Sequence, residues 1–494
     1  MKTKILALLM TTAITNIEAQ SIKDQERSVD APYSIKLEIL EKNHSSAVPT
    51  KLSLEVYEFF SAYGIKANQS IVEQDIRGKK LTKSLAIPSA VSFLQIRYKF
   101  GKSYGKFFGG QRAYLIEDGD DFTCELYPDS VWFHGKGALK MNLQTQLFKL
   151  LIKYEDRKTD IFNPNYFEDE MRLFNRINNE QIELLTRYKG LVSDKVYNYL
   201  YHQCTGSENF RMLAIVRNTV LSNLPESSGR AMAFYSKHIA GARFENLSDS
   251  VHISSTFMDF LYLKEKFDFE LISTDTAHIN KIGAITLFSN IKKKYKGNIR
   301  SRLFVIGFSD LAKRYSDVLG YLDTAIHSSK NTAYFNLLQK LSKSLTNGQM
   351  AYPFELPDSS GKLLKLEDLK GKVVIMDFWF TGCIACKVLA KQMIPILKHF
   401  KGKDVAFVSV NVDHAKETWL KSLRKGEYTH EGNFDVFTDG LGYGHPILKH
   451  YNFNSYPRLI IIGPDGRLIS ATPPRPVDDQ HLKDLMKLIE SNLL

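Results

Sequence analysis

The rhythm of hydrophobic and polar positions changes twice along the chain. From about residue 31 to 140 apolar residues alternate with polar ones, as in Lys51-Leu52-Ser53-Leu54-Glu55-Val56, or cluster in β-rich runs such as Val91-Ser92-Phe93-Leu94-Gln95-Ile96. Gly109-Gly110 and Asp118-Gly119 punctuate these runs as turns, which predicts a small β-sandwich or meander. From about 141 to 347 the spacing lengthens to that of amphipathic helices, for example Phe167 through Leu185 and Tyr334 through Leu345 with Leu337, Leu338 and Leu341 on one side. After Asn347-Gly348 strands and helices alternate. Lys372 to Phe380 is too continuously apolar for a half-exposed strand and reads as a buried central one. Val405 to Val412 predicts a second strand, Ala415 to Leu423 a helix, Leu459 to Ile462 with Leu468 to Ser470 a hairpin, and His481 to Leu493 a last helix. The expected architecture is multidomain: a mainly β region over 20–140, a helical region over 141–347, and an α/β region over 348–494 whose mixed sheet is covered on both faces.

The first nineteen residues read differently from all of these. Lys2 and Lys4 precede a mostly apolar stretch from Ile5 to Ile14, and Ile17-Glu18-Ala19 resembles a cleavage site, so 1–19 reads as a secretory signal. The apolar stretch is shorter than the roughly 20 residues that span a bilayer. A lipoprotein would need a cysteine just after the signal, and the first cysteine is Cys124. The expectation is a soluble protein exported to the periplasm or cell envelope. A net charge of +12 bears on solubility and on encounters with anionic surfaces, and implies no nucleic-acid binding. The densest basic stretch, Lys292, Lys293, Lys294, Lys296, Arg300 and Arg302, reads as a solvated loop or helix end.

Four cysteines in 494 residues exclude a disulfide-dense scaffold. Cys124 and Cys204 lie in segments of different character and are expected as separate buried thiols. Cys383 and Cys386 stand together, in Trp379-Phe380-Thr381-Gly382-Cys383-Ile384-Ala385-Cys386-Lys387, at the end of the central strand and ahead of apolar residues at helical spacing. A thiol that opens a helix faces unpaired backbone N–H groups and the positive end of the helix dipole, both of which favour the thiolate. Cys383 is therefore the expected attacking sulfur. Cys386, one turn on, is the expected resolving sulfur, placed to break a mixed disulfide formed at Cys383. A structural zinc site needs four ligands and no second C-x-x-C or finger-spaced His pair is present; haem attachment needs a His where Lys387 stands. His445 and His450 read as surface or core residues, and no cofactor or metal is implied.

These residues resemble the thioredoxin superfamily, and the lead-in from Phe354 through Lys372 resembles its TlpA and ResA branch, which is related to peroxiredoxins. The resemblance implies a thioredoxin-like fold over 348–494. It implies that Asp377, six residues before Cys383, is a buried acid that takes the proton of the resolving cysteine, and that Tyr456-Pro457 is the cis-proline whose loop pairs with substrate backbone. Departures are local. Ile384-Ala385 replaces Gly-Pro, Gly382 replaces Trp, Ser409 stands where thioredoxins carry a Lys that partners the acid, Pro395 comes a turn late, and Arg458 adds a charge after the cis-proline. Phe380 stands where peroxiredoxins carry a Thr, which disfavours peroxidase chemistry. The resemblance implies an exported thiol-disulfide oxidoreductase, a reductase of oxidised envelope proteins or apocytochromes, recharged by a membrane thiol-disulfide donor. A disulfide oxidase or isomerase, or an envelope binding protein with an accessory redox domain, remains the alternative reading.

Overall fold

In a computed structural model of the chain the described residues are 33–41, 50–61, 66–67, 70–75, 80–100, 103–104, 113–127, 130–154, 160–222, 224–244, 247–272, 283–312, 316–453 and 455–493. The expected signal at 1–19 and the Gly109-Gly110 turn lie outside them. By contact density the chain divides into two bodies, Met1–Thr274 with Ser289–Ile306 and Asp275–Phe288 with Gly307–Leu494. No helix among the described residues is long and apolar enough to cross a membrane.

Alternation organises the first body. Ile35, Leu37 and Ile39 all point to one face of the strand Tyr33–Glu41 and are buried. That strand pairs antiparallel with Lys80–Ile87 and parallel with Asp121–Leu126, which is joined in turn by Val131–Lys136. A second sheet is built on Thr50–Tyr57 and Val91–Phe100. Leu52, Leu54, Val56, Leu94 and Ile96 from this sheet share one core with Ile35, Leu37 and Ile39, so the arrangement is a sandwich, and the parallel pair excludes a meander. Helices follow from Ala138, including Tyr166–Thr186 and Asp194–Val220. Cys124 and Cys204 are both buried and unpaired, as expected, and burial pushes the Cys204 thiol up to about 12.

The basic stretch needs a correction. Lys292 and Lys293 are exposed in the last turn of the helix Gly283–Lys294, and Lys294 pairs with Glu265 at 2.9 Å. Arg302 is fully buried, where its guanidinium donates to the carbonyls of His252 and Ile253 and to Ser255. It staples the backbone ahead of the helix Ser255–Ile272, and its charge also lies over the Phe59 ring at 5.2 Å, contacts that offset the cost of burying a guanidinium.

In the second body the helix Thr332–Leu345 is capped by Asn331, whose side chain accepts the N–H groups of Ala333 and Tyr334. Beyond it lie β1 (Glu355–Pro357) and β2 (Leu363–Lys365), then β3 (Val373–Trp379), α1 (Ile384–His399), β4 (Val405–Asn411), α2 (Lys416–Lys425), β5 (Phe434–Phe437), α3 (Pro446–His450), β6 (Arg458–Ile462), β7 (Leu468–Ser470) and α4 (Asp479–Glu490). The five-stranded sheet runs β5-β4-β3-β6-β7, parallel from β5 to β3 and antiparallel from β3 to β7. β2 and β5 are strands that periodicity left unread, being only 3 and 4 residues long.

The apolar run of β3 is central, as its composition required. Its odd-numbered face, Val373 and Ile375, packs with Leu389, Met393 and Ile396 of α1 and with Leu485 and Ile489 of α4. Its even-numbered face includes Phe378, whose ring meets Phe453 at 5.2 Å. α1 and α4 cover one face and the Phe378–Phe453 pair packs on the other, which is why a strand this continuously apolar exists here. Ile461, fully buried in the α1/α4 layer, tests this core. Ile461→Ala is expected to cost about 2–5 kcal/mol, read as a lowered urea midpoint in the fluorescence of the buried Trp379 and Trp419. A midpoint shift worth less than about 1 kcal/mol would contradict this packing.

Candidate active site

The site forms where β3 ends and α1 begins. Cys383 is the residue that caps α1, with extended backbone, and the Cys386 N–H donates to its sulfur at 3.1 Å. The two sulfurs are joined in a disulfide with Cα atoms 5.3 Å apart. Cys383 is 7% exposed and Cys386 1% exposed, so the first is the one solvent and partners can reach. Ile384, between them, is 78% exposed. An apolar side chain thus stands in the open beside the reachable sulfur.

The turn that delivers Cys383 is fastened from outside the motif. The Thr381 N–H donates to Asp413 at 3.0 Å, its hydroxyl donates to the same carboxylate, and Asn411 donates to Asp413 at 3.0 Å. Gly382 has φ +95°, a left-handed conformation that a Trp side chain would strain, which accounts for one departure from the thioredoxin pattern. Its N–H donates to the Tyr428 hydroxyl at 2.8 Å. The Tyr428 ring stacks on Trp379 at 4.4 Å, and the Lys387 ammonium lies 5.4 Å from the centre of the same Tyr428 ring while paired with Glu427 at 2.8 Å. Tyr428 therefore supplies an aromatic beside the pair from a distant segment.

Asp377 lies on the odd-numbered face of β3, under α1. It lines a narrow cleft with Ala390 and Met393 of α1 and with Tyr428, His430 and Asn433, with room for about one water molecule. The residue keeps a little exposed surface at its edge, but its Oδ1 is enclosed and has no hydrogen-bond partner. Burial pushes its carboxyl up to about 7, against a smaller downward pull from the Arg475 charge. Ser409 faces Asp377 in register on β4, yet its hydroxyl accepts from Trp379 Nε1 at 2.7 Å.

The Tyr456–Pro457 peptide is cis, and the Tyr456 side chain packs against the cluster that holds Cys383, Cys386, Trp379 and Tyr428. Arg458 is buried, donates to Ser455 and lies over Phe453 at 5.7 Å, so its guanidinium is engaged in the loop before β6. His445 caps α3, accepting the Ile447 N–H at 3.3 Å, and His450 packs against Tyr352 and Tyr451. Burial lowers the proton affinity of both imidazoles. The structure thus brings Cys383, Cys386, Asp377 and the Pro457 loop to one end of the sheet. Sequence reasoning missed Tyr428, Asp413, Thr381, His430 and Arg475; only Asp413, at the end of a strand beside the central one, carried a positional signal.

Comparison with known proteins agrees with this geometry. The thioredoxin-like family model matches residues 371–468. The thiol-disulfide oxidoreductase ResA of Bacillus subtilis is 32% identical over 151 residues, 30% of this chain and 78% of that protein. The thioredoxin-like protein YneN of the same organism is 33% identical over 135 residues, 27% of this chain and 76% of its own. Among solved structures, the thioredoxin domain of a thiol-disulfide oxidoreductase from Bacteroides vulgatus is 27% identical and aligns over 30% of this chain and 99% of that one, with a TM-score of 0.26. Through its C-terminal region, then, the chain belongs to the ResA-like thiol-disulfide oxidoreductases of the thioredoxin superfamily.

Proposed function

We propose that the protein is an exported thiol-disulfide reductase of envelope proteins, with Cys383 as nucleophile, Cys386 as resolving thiol, Asp377 as proton acceptor and the Pro457 loop as the substrate-pairing element. The observation that carries this is the Cys383–Cys386 pair at the start of α1, with a buried carboxylate beneath the same helix. In the reduced protein the Cys383 thiolate attacks a target disulfide. A Cys383–target bond forms, the target bond breaks, and the leaving thiolate takes a proton from water. Cys386 then gives its proton to Asp377 and attacks the Cys383 sulfur. The internal disulfide forms as the second target thiolate leaves, so the target gains two electrons and the pair loses two. An acid poised near neutrality suits that transfer.

A membrane thiol-disulfide donor returns the pair to its reduced state in this scheme, and the targets are oxidised envelope proteins or apocytochromes. The apolar start of the chain and the ResA likeness support export and reduction. The division into 20–140, 141–347 and 348–494 belongs to the same proposal, with the first two regions selecting the target.

Cys383→Ser is expected to abolish insulin-disulfide reduction, and equilibration of the wild-type pair with glutathione should show a reducing potential near that of thioredoxin, about −270 mV. Residual activity in the variant would sink the nucleophile assignment, and a potential near about −120 mV would sink the direction.

Asp377 makes a separate prediction. The folded protein holds this proton to about pH 7, whereas the unfolded chain releases it near the ordinary value of 3.8. Between those values the folded state binds more protons, so the Asp377 contribution to stability falls as pH rises across the window. Asp377→Asn should therefore gain stability over the wild type from about pH 4 to about pH 7, with the gap level above. Urea midpoints at several pH values measure it; a gap that does not change with pH contradicts the buried-acid assignment.

A further inference from the structure

Ser409 occupies the position opposite Asp377 where a cation is expected from the thioredoxin pattern, and its hydroxyl is committed to Trp379. A positive charge reaches Asp377 from elsewhere. It belongs to Arg475, in the segment between β7 and α4, and it favours the ionised carboxylate. The same guanidinium donates from Nη2 to the Pro457 carbonyl at 3.0 Å. The sheet register explains how one side chain serves both. Asp377 on β3 pairs with Leu459 on β6, and Pro457 stands just ahead of β6, two residues before Leu459, so the cis-proline loop begins a diagonal step from the carboxylate.

The segment that carries Arg475 is built to be stiff. Pro473 and Pro474 precede it and Pro476 follows, which fixes φ at three positions and restricts Arg475 itself to extended backbone. Pro473 and Pro476 are buried, and Ser470 at its start pairs with Ile461 of β6. An arginine held this firmly between a proton acceptor and a substrate-pairing loop does more than fill surface.

We propose that Arg475 is a positioning residue of the exchange reaction: anchored on the Pro457 carbonyl, it supplies to Asp377 the cation that Ser409 does not, coupling the substrate-pairing loop to the proton acceptor. The proposal rests on the reading of Asp377 as acceptor for Cys386. The other groups facing Asp377 are accounted for. α1 presents Ala390 and Met393 beyond the cysteine pair, β4 presents Ser409, and β6 presents Leu459. The segment before β5 presents Tyr428, His430 and Asn433, of which His430 is bonded through Nε2 to the Ala390 carbonyl at 2.7 Å. Asp435 of β5 lies beyond Ser409 and is bonded to Thr429 and to the Ser409 hydroxyl, which thus has acidic and indole partners but carries no charge.

The test is the rate of single-turnover insulin reduction by the pre-reduced full chain from about pH 5 to about pH 9, with Cys383 alkylation by iodoacetamide over the same range to report its thiolate separately. In the wild type the resolving step is expected to inflect near neutral pH, where the buried Asp377 carboxyl titrates at about 7. Arg475→Gln is expected to move that inflection up by about one pH unit or more, because removing a nearby cation disfavours the carboxylate, and to slow the step about five-fold at pH 7. It also raises the insulin concentration for half-maximal rate. Arg475→Lys restores both, and Cys383 alkylation is unchanged throughout. Arg475→Met, which keeps the apolar stem without the charge, replaces Arg475→Gln if that variant does not fold. An activity loss with the inflection in place overturns the proposal, since a structural arginine would do only that. If instead Asp377→Asn keeps the inflection and His430→Gln removes it, the acceptor reading has failed, and the Arg475 proposal falls with it for that distinguishable reason.

Discussion

A cysteine thiol becomes a working nucleophile only where the backbone favours its thiolate, and in this chain that place is the junction of a fully covered strand with a helix. β3 has no polar side because α1 and α4 close one face and the Phe378–Phe453 layer the other. It can end only at the rim of the sheet. There Cys383 caps α1, in reach of the unpaired N–H groups, and the Cys386 amide already points at its sulfur. The position of the pair is thus set by the packing of the strand that precedes it.

The same burial sets the chemistry of the acid. Asp377 shares a face with Val373 and Ile375, so a carboxylate there must either be neutral or be compensated. The enclosed Oδ1 and the room for a single water leave compensation incomplete, and the proton affinity rises toward neutrality. Arg475 limits the rise. A carboxylate balanced between a dry face and one cation costs folding stability at alkaline pH, and that cost is the counterpart of a group ready to take a thiol proton.

What local pattern can convey was legible. The continuous apolar run of β3, the helix that follows Cys386 and the hairpin at Gly463-Pro464-Asp465-Gly466 each depend on neighbours in sequence. The partners of the site do not. Tyr428 lies 46 residues from Gly382, and Asp413 lies 32 from Thr381, so only the tertiary fold brings them together. The absence of a lysine at Ser409 was visible, but its replacement by a charge from the Pro-rich segment required knowing that β6 lies beside β3. In the first body the parallel pairing of Tyr33–Glu41 with Asp121–Leu126 was equally hidden, and Arg302 read as surface because composition says nothing of its carbonyl acceptors.

In the proposed exchange Cys383 makes the bond to the target and Cys386 breaks it. The most direct measurement is to express the full chain with Cys386→Ala, trap the mixed disulfides that accumulate, and map their linkages by mass spectrometry of unreduced peptides. Target peptides are expected joined to Cys383, and absent when Cys383 is also replaced by Ser. Targets joined to Cys124 or Cys204, or no accumulation over the wild type, would contradict it.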